Sequence, residues 1–394
     1  MLNRIRLANF KCFDHLDLRC TPLTLLCGMN GMGKSSIIQA LLLLRQSYET
    51  RELMDGRLLL GGDRVDLGTG SDILFEDADS NELGIELESS SVPNMSLKFE
   101  VLGTADLLGS AEDPSAEAAG AKIPKLPRDP SDHSRKEIES LRKVLAEWRD
   151  SPPMGGRLVH VNAERFGPRK IYPLSDVLAL RGDFGSSSQY AWNYLNQHRD
   201  SLLPKDDPRI IGPGQSLANV ANNWLGIICP GVELQLDPVR SADSLVASFT
   251  FERPGDVASK PHRAINVGFG LSYALPVVLA LLSPQNTLCL IENPEAHLHP
   301  NGQTKLADLA VRAACAGVQV IAETHSDHFM DGVRIAVRTD LIRPAEAAFH
   351  YFERSGNRTT VSSPKIDADG RLSHWPSGFF DQHDANLAKL IAPR

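Results

Sequence analysis

Apolar and polar residues alternate at the start of the chain. Arg4-Ile5-Arg6-Leu7-Ala8 and His15-Leu16-Asp17-Leu18 each carry the two-residue period of a strand. They lead into a third predicted strand, the apolar run Leu23 to Cys27. The pattern then changes. Ile37 to Leu44 contains no breaker and is rich in helix formers, which predicts a helix. Strand patterning returns at Gly84 to Glu88 and at Met95 to Leu102, giving the first hundred residues a β-rich edge. From about Gly103 to His133 the chain is Ala, Ser, Asp, Pro and Gly with few aliphatics, so it buries too little apolar surface to repay ordering and reads as a linker. Ser134 to Asp150 returns to the helical period, with Ile138, Leu141, Val144, Leu145 and Trp148 on one stripe facing a core.

Further along, Arg157 to Asn162 predicts a strand, and residues 175 to 228 read as mainly helical with breaks at Gly182 to Ser188 and Pro204 to Gly214. Strands are predicted at Val232 to Leu236 and Leu245 to Phe251, a helix at Tyr273 to Leu282, and buried strands at Thr287 to Ile291 and Val318 to Ala322. No internal repeat is visible.

At 394 residues the chain exceeds what one core usually serves, which predicts at least two lobes. A formal net charge of −8 excludes the global basic field of a dedicated nucleic-acid binder. The longest apolar stretches are too short to cross a bilayer and the first residues lack the apolar core of a signal peptide, so the expected location is the cytoplasm, with no membrane partner. The six cysteines form no C-x-x-C, and several sit inside apolar runs, where a reduced thiol behaves as a small core residue.

Between the third strand and the following helix stands Gly28-Met29-Asn30-Gly31-Met32-Gly33-Lys34-Ser35, which fits G-x-x-x-x-G-K-[ST] at every fixed position. Glycines let successive N–H groups turn into one concavity, and the helix end adds positive potential there. Lys34 reaches the β/γ-phosphates and Ser35 can bind Mg²⁺. The expected ligand is a nucleoside triphosphate, held by Asn30, Gly31, Met32, Gly33, Lys34, Ser35 and Ser36.

A second block completes the picture. Asn266-Val267-Gly268-Phe269-Gly270-Leu271-Ser272 precedes a helix, and the strand ending at Ile291 runs into Glu292-Asn293-Pro294-Glu295. An acid at the end of an apolar strand is where phosphate-loop proteins hold Mg²⁺, and Glu292 fills that place. The next strand ends in Glu323-Thr324-His325-Ser326, which puts a histidine at a strand tip.

The order of phosphate loop, glycine-serine turn, acidic strand end and histidine strand end resembles the ATP-binding-cassette heads of the SMC, RecF and OLD-type ATPases, including predicted ATPases of bacterial phage-defence loci. The resemblance covers residues 1 to 45 and 265 to 330, and the tail Trp375 to Gln382 resembles an uncharacterised C-terminal module found on such ATPases. It implies an α/β fold: an ABC-ATPase head with a mixed central sheet around the P-loop core, a β-rich N-terminal edge and an inserted, mainly helical lobe. The expected divisions are 1–103 for the N-terminal ATPase lobe, 104–134 for the linker, 135–260 for the insertion, 261–345 for the C-terminal ATPase lobe and 346–394 for the C-terminal module. The resemblance further implies ATP and Mg²⁺ as ligands, with Ser35 and Glu292 toward the metal. Gly268, Gly270 and Ser272 stand at the signature turn, which in the family meets the γ-phosphate held by a second subunit. His325 matches the histidine that senses the γ-phosphate, and Ala296 to Pro300 the dimer-contact loop. A homodimer closed on two ATP is thereby implied.

One departure bears on chemistry. The family has a second adjacent acid as general base, where this chain has Asn293, and an amide cannot accept the proton. Either Glu295 supplies the base, or Glu292 serves twice, or hydrolysis is slow and binding is the signal; the catalytic set is Glu292, Glu295 and His325, with Glu295 the favoured substitute. The leading expectation is a slow ATPase switch read by a separate effector, a nuclease being one candidate. A second is a metal-dependent nuclease using His297, His299, His325, His328 or Asp367-Ala368-Asp369, although Asp369-Gly370 suits a hairpin turn. A third is a RecF-like repair ATPase touching DNA through Arg165, Arg169 and Lys170, or through Lys122, Lys125, Arg128, Arg135 and Lys136.

Overall fold

The computed structural model describes residues 1–101, 103–110, 142–253, 257–356, 358–376 and 382–391. The chain opens with strands β1 (Leu2–Phe10), β2 (Phe13–Arg19) and β3 (Leu23–Gly28), followed by helix α1 (Lys34–Glu49). Strands β4 (Leu58–Leu59), β5 (Glu82–Ser89), β6 (Met95–Glu100) and β7 (Leu107–Ser110) come next. With β1 and β2 they form one sheet in the order β2-β1-β5-β6-β7-β4. Ile5, Leu7, Ile85, Leu87, Leu97 and Phe99 are buried from alternate positions of three of these strands, as the two-residue period requires. Strand β7 lies inside the stretch expected to be a linker. Its Leu108 is fully buried and pairs with Leu58, so non-local pairing captures a segment whose composition is otherwise poor in aliphatics.

Of the helix expected at 134–150, residues 142–147 are helical and the positions before 142 lie outside the described residues. Leu145 and Trp148 are fully buried, and the Trp148 indole donates to the Pro93 carbonyl at 3.0 Å. Then come β8 (Leu158–Val161), β9 (Tyr172–Pro173), α2 (Asp176–Arg181), α3 (Ala191–His198) and α4 (Leu217–Ile228). The antiparallel hairpin β10 (Val232–Val239) and β11 (Ser244–Arg253) carries the short strands β12 (Val257–Ala258) and β13 (His262–Arg263). The last part runs α5 (Phe269–Leu281), β14 (Leu288–Glu292), α6 (Pro300–Cys315), β15 (Gln319–Glu323), α7 (Asp327–Arg338), β16 (Ala347–Ser355), β17 (Arg358–Ser362) and α8 (Gln382–Ile391).

A second six-stranded sheet has the order β17-β16-β3-β15-β14-β8, with β16, β3, β15, β14 and β8 mutually parallel and only β17 antiparallel. Parallel strands covered on both faces read as nearly continuous apolar runs, which is what Leu23–Cys27, with its buried Thr24, Leu288–Ile291 and Val320–Ala322 are. Two hydrophobic clusters lie on its two faces. One includes α1 and the N-terminal sheet; the other includes α3 to α7. Strand β16 joins this sheet: Ala347 to Phe352 pair with Leu23 to Gly28, beside the phosphate-loop strand. All five parallel strands end on one rim, and that rim carries the site.

Candidate functional site

The phosphate loop leaves β3 through Gly28 at φ +136°, and a side chain there would meet the Phe352 carbonyl of β16. Gly33, at φ +88°, is the residue before α1, and a Cβ on it would strike Cys12 Sγ and the Phe13 ring. Only glycine satisfies both the backbone angle and the packing. No side chain caps α1, so its first N–H groups stay open to an anion. Asn30 and Gly31 are exposed, while Met32 and Ser36 pack inward.

Lys34 is buried and donates to the carbonyls of Gly28 (3.0 Å) and Met29 (2.7 Å). Burial pushes its ammonium down from its ordinary value, while the nearby Glu323 charge works the other way. The Ser35 hydroxyl donates to Glu323 Oε2 at 2.6 Å, and Lys34 Nζ lies 3.7 Å from Glu323 Oε1. Burial by itself would raise the Glu323 carboxyl, but the nearby His325, the Ser35 hydrogen bond and the Lys34 charge outweigh it and hold the group below its ordinary value.

The resemblance puts Ser35 and Glu292 toward the metal, whereas the Ser35 hydroxyl bonds Glu323. The sheet order explains the difference. Strand β15 lies between β3 and β14, so Glu323 ends the strand next to the phosphate loop and Glu292, its register partner, ends the one beyond. The Glu292 carboxylate instead pairs with His160 Nε2 at 3.0 Å, from the edge strand β8. A signal for Glu323 was present: like Glu292, it closes an apolar strand with an acid.

Around these acids the backbone is tightly fixed. Asn293 is at φ +47° and its N–H donates to the Glu323 carbonyl at 2.8 Å. The Glu295 carboxylate accepts from the Thr324 hydroxyl and the His325 N–H, both at 2.8 Å. His325, partly exposed, has Nε2 3.8 Å from Glu323 Oε1. Arg165, expected as a surface charge for DNA, is buried: its guanidinium donates to the carbonyls of Glu292 and Asn293 and lies over the Tyr273 ring. Burial lowers its pKa to about 10, which still leaves it cationic at neutral pH. Arg169 covers the Phe166 ring, and the basic group from Lys122 to Lys136 lies outside the described residues.

The signature residues occupy the start of α5 instead of a turn before it. Gly268 is the residue before the helix and is exposed, and Phe269 is half-exposed; Gly270 packs against the His297 carbonyl. Ser272, one turn in, is buried, so its hydroxyl neither caps the helix nor reaches the surface. His297 stacks near Phe269 and Tyr273, at 5.3 and 4.5 Å between ring centres, joining the loop at 296–300 to α5. His299 accepts from the Asn301 N–H at the start of α6, and His328 faces Asp327 at 3.7 Å. Among the described residues no three His, Cys, Asp or Glu side chains gather as a metal would require. Asp367 to Gly370 form a closed turn, the Gly370 N–H donating to the Asp367 carbonyl at 3.0 Å.

A glycine-lined loop, a buried lysine and a hydroxyl beside a carboxylate stand together on the strand rim, and the sequence profile of the family described as "AAA domain, putative AbiEii toxin, Type IV TA system" matches residues 23–331. The chain belongs to this family. Its matched part is an AAA domain. A second profile, "Protein of unknown function (DUF3696)", matches residues 342–390 of the same chain. The chain is 23% identical over 363 residues to the OLD nuclease of Thermus scotoductus, covering 84% of itself and 60% of that protein, so it spans about three-fifths of the relative's length. Among solved structures it is similar to an SMC head bound to the C-terminal winged-helix domain of ScpA (TM-score 0.54, 14% identity, 93% of this chain and 98% of that one). It is also similar to an SMC head with an extended coiled coil bound to the C-terminal domain of ScpA from Pyrococcus furiosus (TM-score 0.51, 13% identity, 99% of each). These likenesses show the fold of an SMC head. No helix among the described residues is long and apolar enough to cross a membrane.

Proposed function

We propose that this ATPase binds ATP with Mg²⁺, hydrolyses it slowly, and acts as a switch whose ATP-closed homodimer is read by a separate effector in defence against phage. The convergence of Lys34, Ser35 and His325 on one buried carboxylate at the phosphate-loop rim is the observation that carries the reading. Hard oxygen donors beside a buried lysine fit a metal–triphosphate, and a divalent cation bound there would neutralise charge on the β- and γ-oxygens. Slow turnover follows from Asn293, whose amide cannot take a proton from water. Of the carboxylates offered in its place, Glu295 already accepts two hydrogen bonds, which orients it firmly and ties it to the His325 backbone. The catalytic roles of Glu292, Glu295 and His325 stand as part of this proposal.

Closure of a dimer is supported by the exposed start of α5, where Gly268 and Phe269 stand beside the 296–300 loop. A ligand that touches two subunits only in the closed form has the differential affinity a population shift needs. The similarity to an OLD nuclease favours nucleic acid as the effector's target, with cleavage assigned to a partner. Sedimentation with and without ATP-Mg²⁺, coupled to phosphate release, tests the whole reading. Wild type should shift to a dimer, Lys34→Ala should neither bind nor shift, and Glu295→Gln should dimerise yet turn over at least about 10²-fold more slowly. A monomer at saturating ATP would remove the switch. A cleavage assay with Mg²⁺ or Mn²⁺ on the purified chain separates the nuclease alternative, and DNA binding that weakens steeply with salt would support the repair alternative.

A further inference from the structure

We propose that His160 is a positioning residue for the metal site: its ring fixes the carboxylate of Glu292, the acid assigned to Mg²⁺. The inference rests on the ATP-binding reading above and adds one residue to it. His160 comes from the edge strand β8, which pairs in parallel with β14 so that His160 stands opposite Leu290. Side chains two residues apart share a face of a strand, so Glu292 projects from the same face as Leu290, next along from the histidine. The register thereby brings the two side chains together, and His160 Nε2 lies 3.0 Å from Glu292 Oε1.

Packing alone does not call for a histidine here. The neighbours on that face, Leu158, Leu288 and Leu290, are buried in the cluster that includes α1, and the imidazole and carboxylate are only 9% and 14% exposed. A polar ring among leucines costs stability unless it is hydrogen-bonded, and among the described residues its partner is Glu292. Glu292 is thus held twice: Arg165 takes its main-chain carbonyl and His160 takes Oε1, while Oε2 accepts no hydrogen bond among the described residues. Mg²⁺ dehydrates reluctantly and keeps several waters. An acid meets such waters through hydrogen bonds, which weaken steeply off line, so a fixed carboxylate serves better than a rotating one. The contact needs only a proton on Nε2, which the neutral tautomer and the imidazolium both supply. It does not depend on the charge of the ring.

The experiment titrates the full chain with a fluorescent ATP analogue, with and without Mg²⁺, and reads the gain in affinity that the metal gives. His160→Phe keeps a flat ring without nitrogens, and the cavity of about 390 Å³ that His160 borders gives that ring room. Its gain should fall by at least about 10-fold, while metal-free binding stays as in wild type. His160→Gln, whose amide N–H can take the place of Nε2–H, should recover most of the gain. Glu292→Gln should lose the gain by itself, and adding His160→Phe to it should cost nothing further, because the histidine acts through that carboxylate. His160→Leu takes the place of the Phe variant if the latter fails to melt cooperatively. An undiminished gain in the Phe or Leu variant, an equal loss with and without metal, a Gln variant no better than the Phe variant, or a further loss on top of Glu292→Gln would overturn the assignment. If wild type binds no analogue, or gains nothing from Mg²⁺, the ATP-binding reading fails instead, and the two failures are distinguishable.

Discussion

Arg165 shows how much one buried side chain can organise. Its guanidinium satisfies the carbonyls of Glu292 and Asn293, where β14 breaks into the loop that holds Asn293 and His297 at positive φ. Each buried carbonyl left without a partner costs about 1–3 kcal/mol. Arg165→Met, which keeps much of the side-chain length, is therefore expected to destabilise the chain by about 3 kcal/mol, read from urea unfolding. A loss below about 1 kcal/mol would mean water replaces the guanidinium and the loop does not depend on it. The same geometry withdraws Arg165 from the residues that could touch DNA.

At the scale of the element, β16 carries a second buried titratable group. His350 lies in the strand beside β3; its Nε2 bonds the Arg19 carbonyl at 2.8 Å and its Nδ1 the Ser363 hydroxyl at 2.7 Å. Nε2 must carry the proton to reach a carbonyl, so Nδ1 accepts from Ser363. Burial lowers the pKa from 6.5 to about 4. The folded pKa is depressed, so the unfolded chain takes up the proton first as pH falls. The stabilisation is whole above pH 6.5 and is lost progressively down to about pH 4. The lost amount is on the order of 3 kcal/mol. His350→Gln, which offers an amide to both partners and does not titrate, should flatten that part of the pH–stability curve. An unchanged curve in the variant would place the acid sensitivity elsewhere, for instance at the Glu323 carboxyl, whose depressed pKa gives a loss at lower pH, below the ordinary carboxylate value.

For the whole molecule the surface proposed to close the dimer is the start of α5. Phe269 is 53% exposed and packs on His297 of the 296–300 loop, although an aromatic ring so placed is normally covered. Phe269→Asp should leave monomer stability within about 0.5 kcal/mol, as exposed substitutions do. It should retain ATP-analogue binding and abolish the ATP-dependent shift in sedimentation. A variant that still dimerises would move the closing surface away from this helix.

Sequence alone determined the phosphate loop, the order of the four site motifs and the strand-end acids. Their chemistry is local: glycines at positive φ, a lysine and a hydroxyl at the start of a helix, and an acid closing an apolar run are all set within a few residues. The period of two in β1 and β5 and the mostly apolar runs of β3, β14 and β15 likewise announced one-faced and two-faced sheets. What the tertiary structure decided is which groups meet. Strand order is a property of non-local pairing, and spacing along the chain does not encode it. Placing β15 between β3 and β14 brings Glu323 to Ser35 and leaves Glu292 with His160. The same pairing draws β16 into the ATPase sheet and buries Arg165 and Ser272, because a residue's exposure depends on what the rest of the chain packs against it.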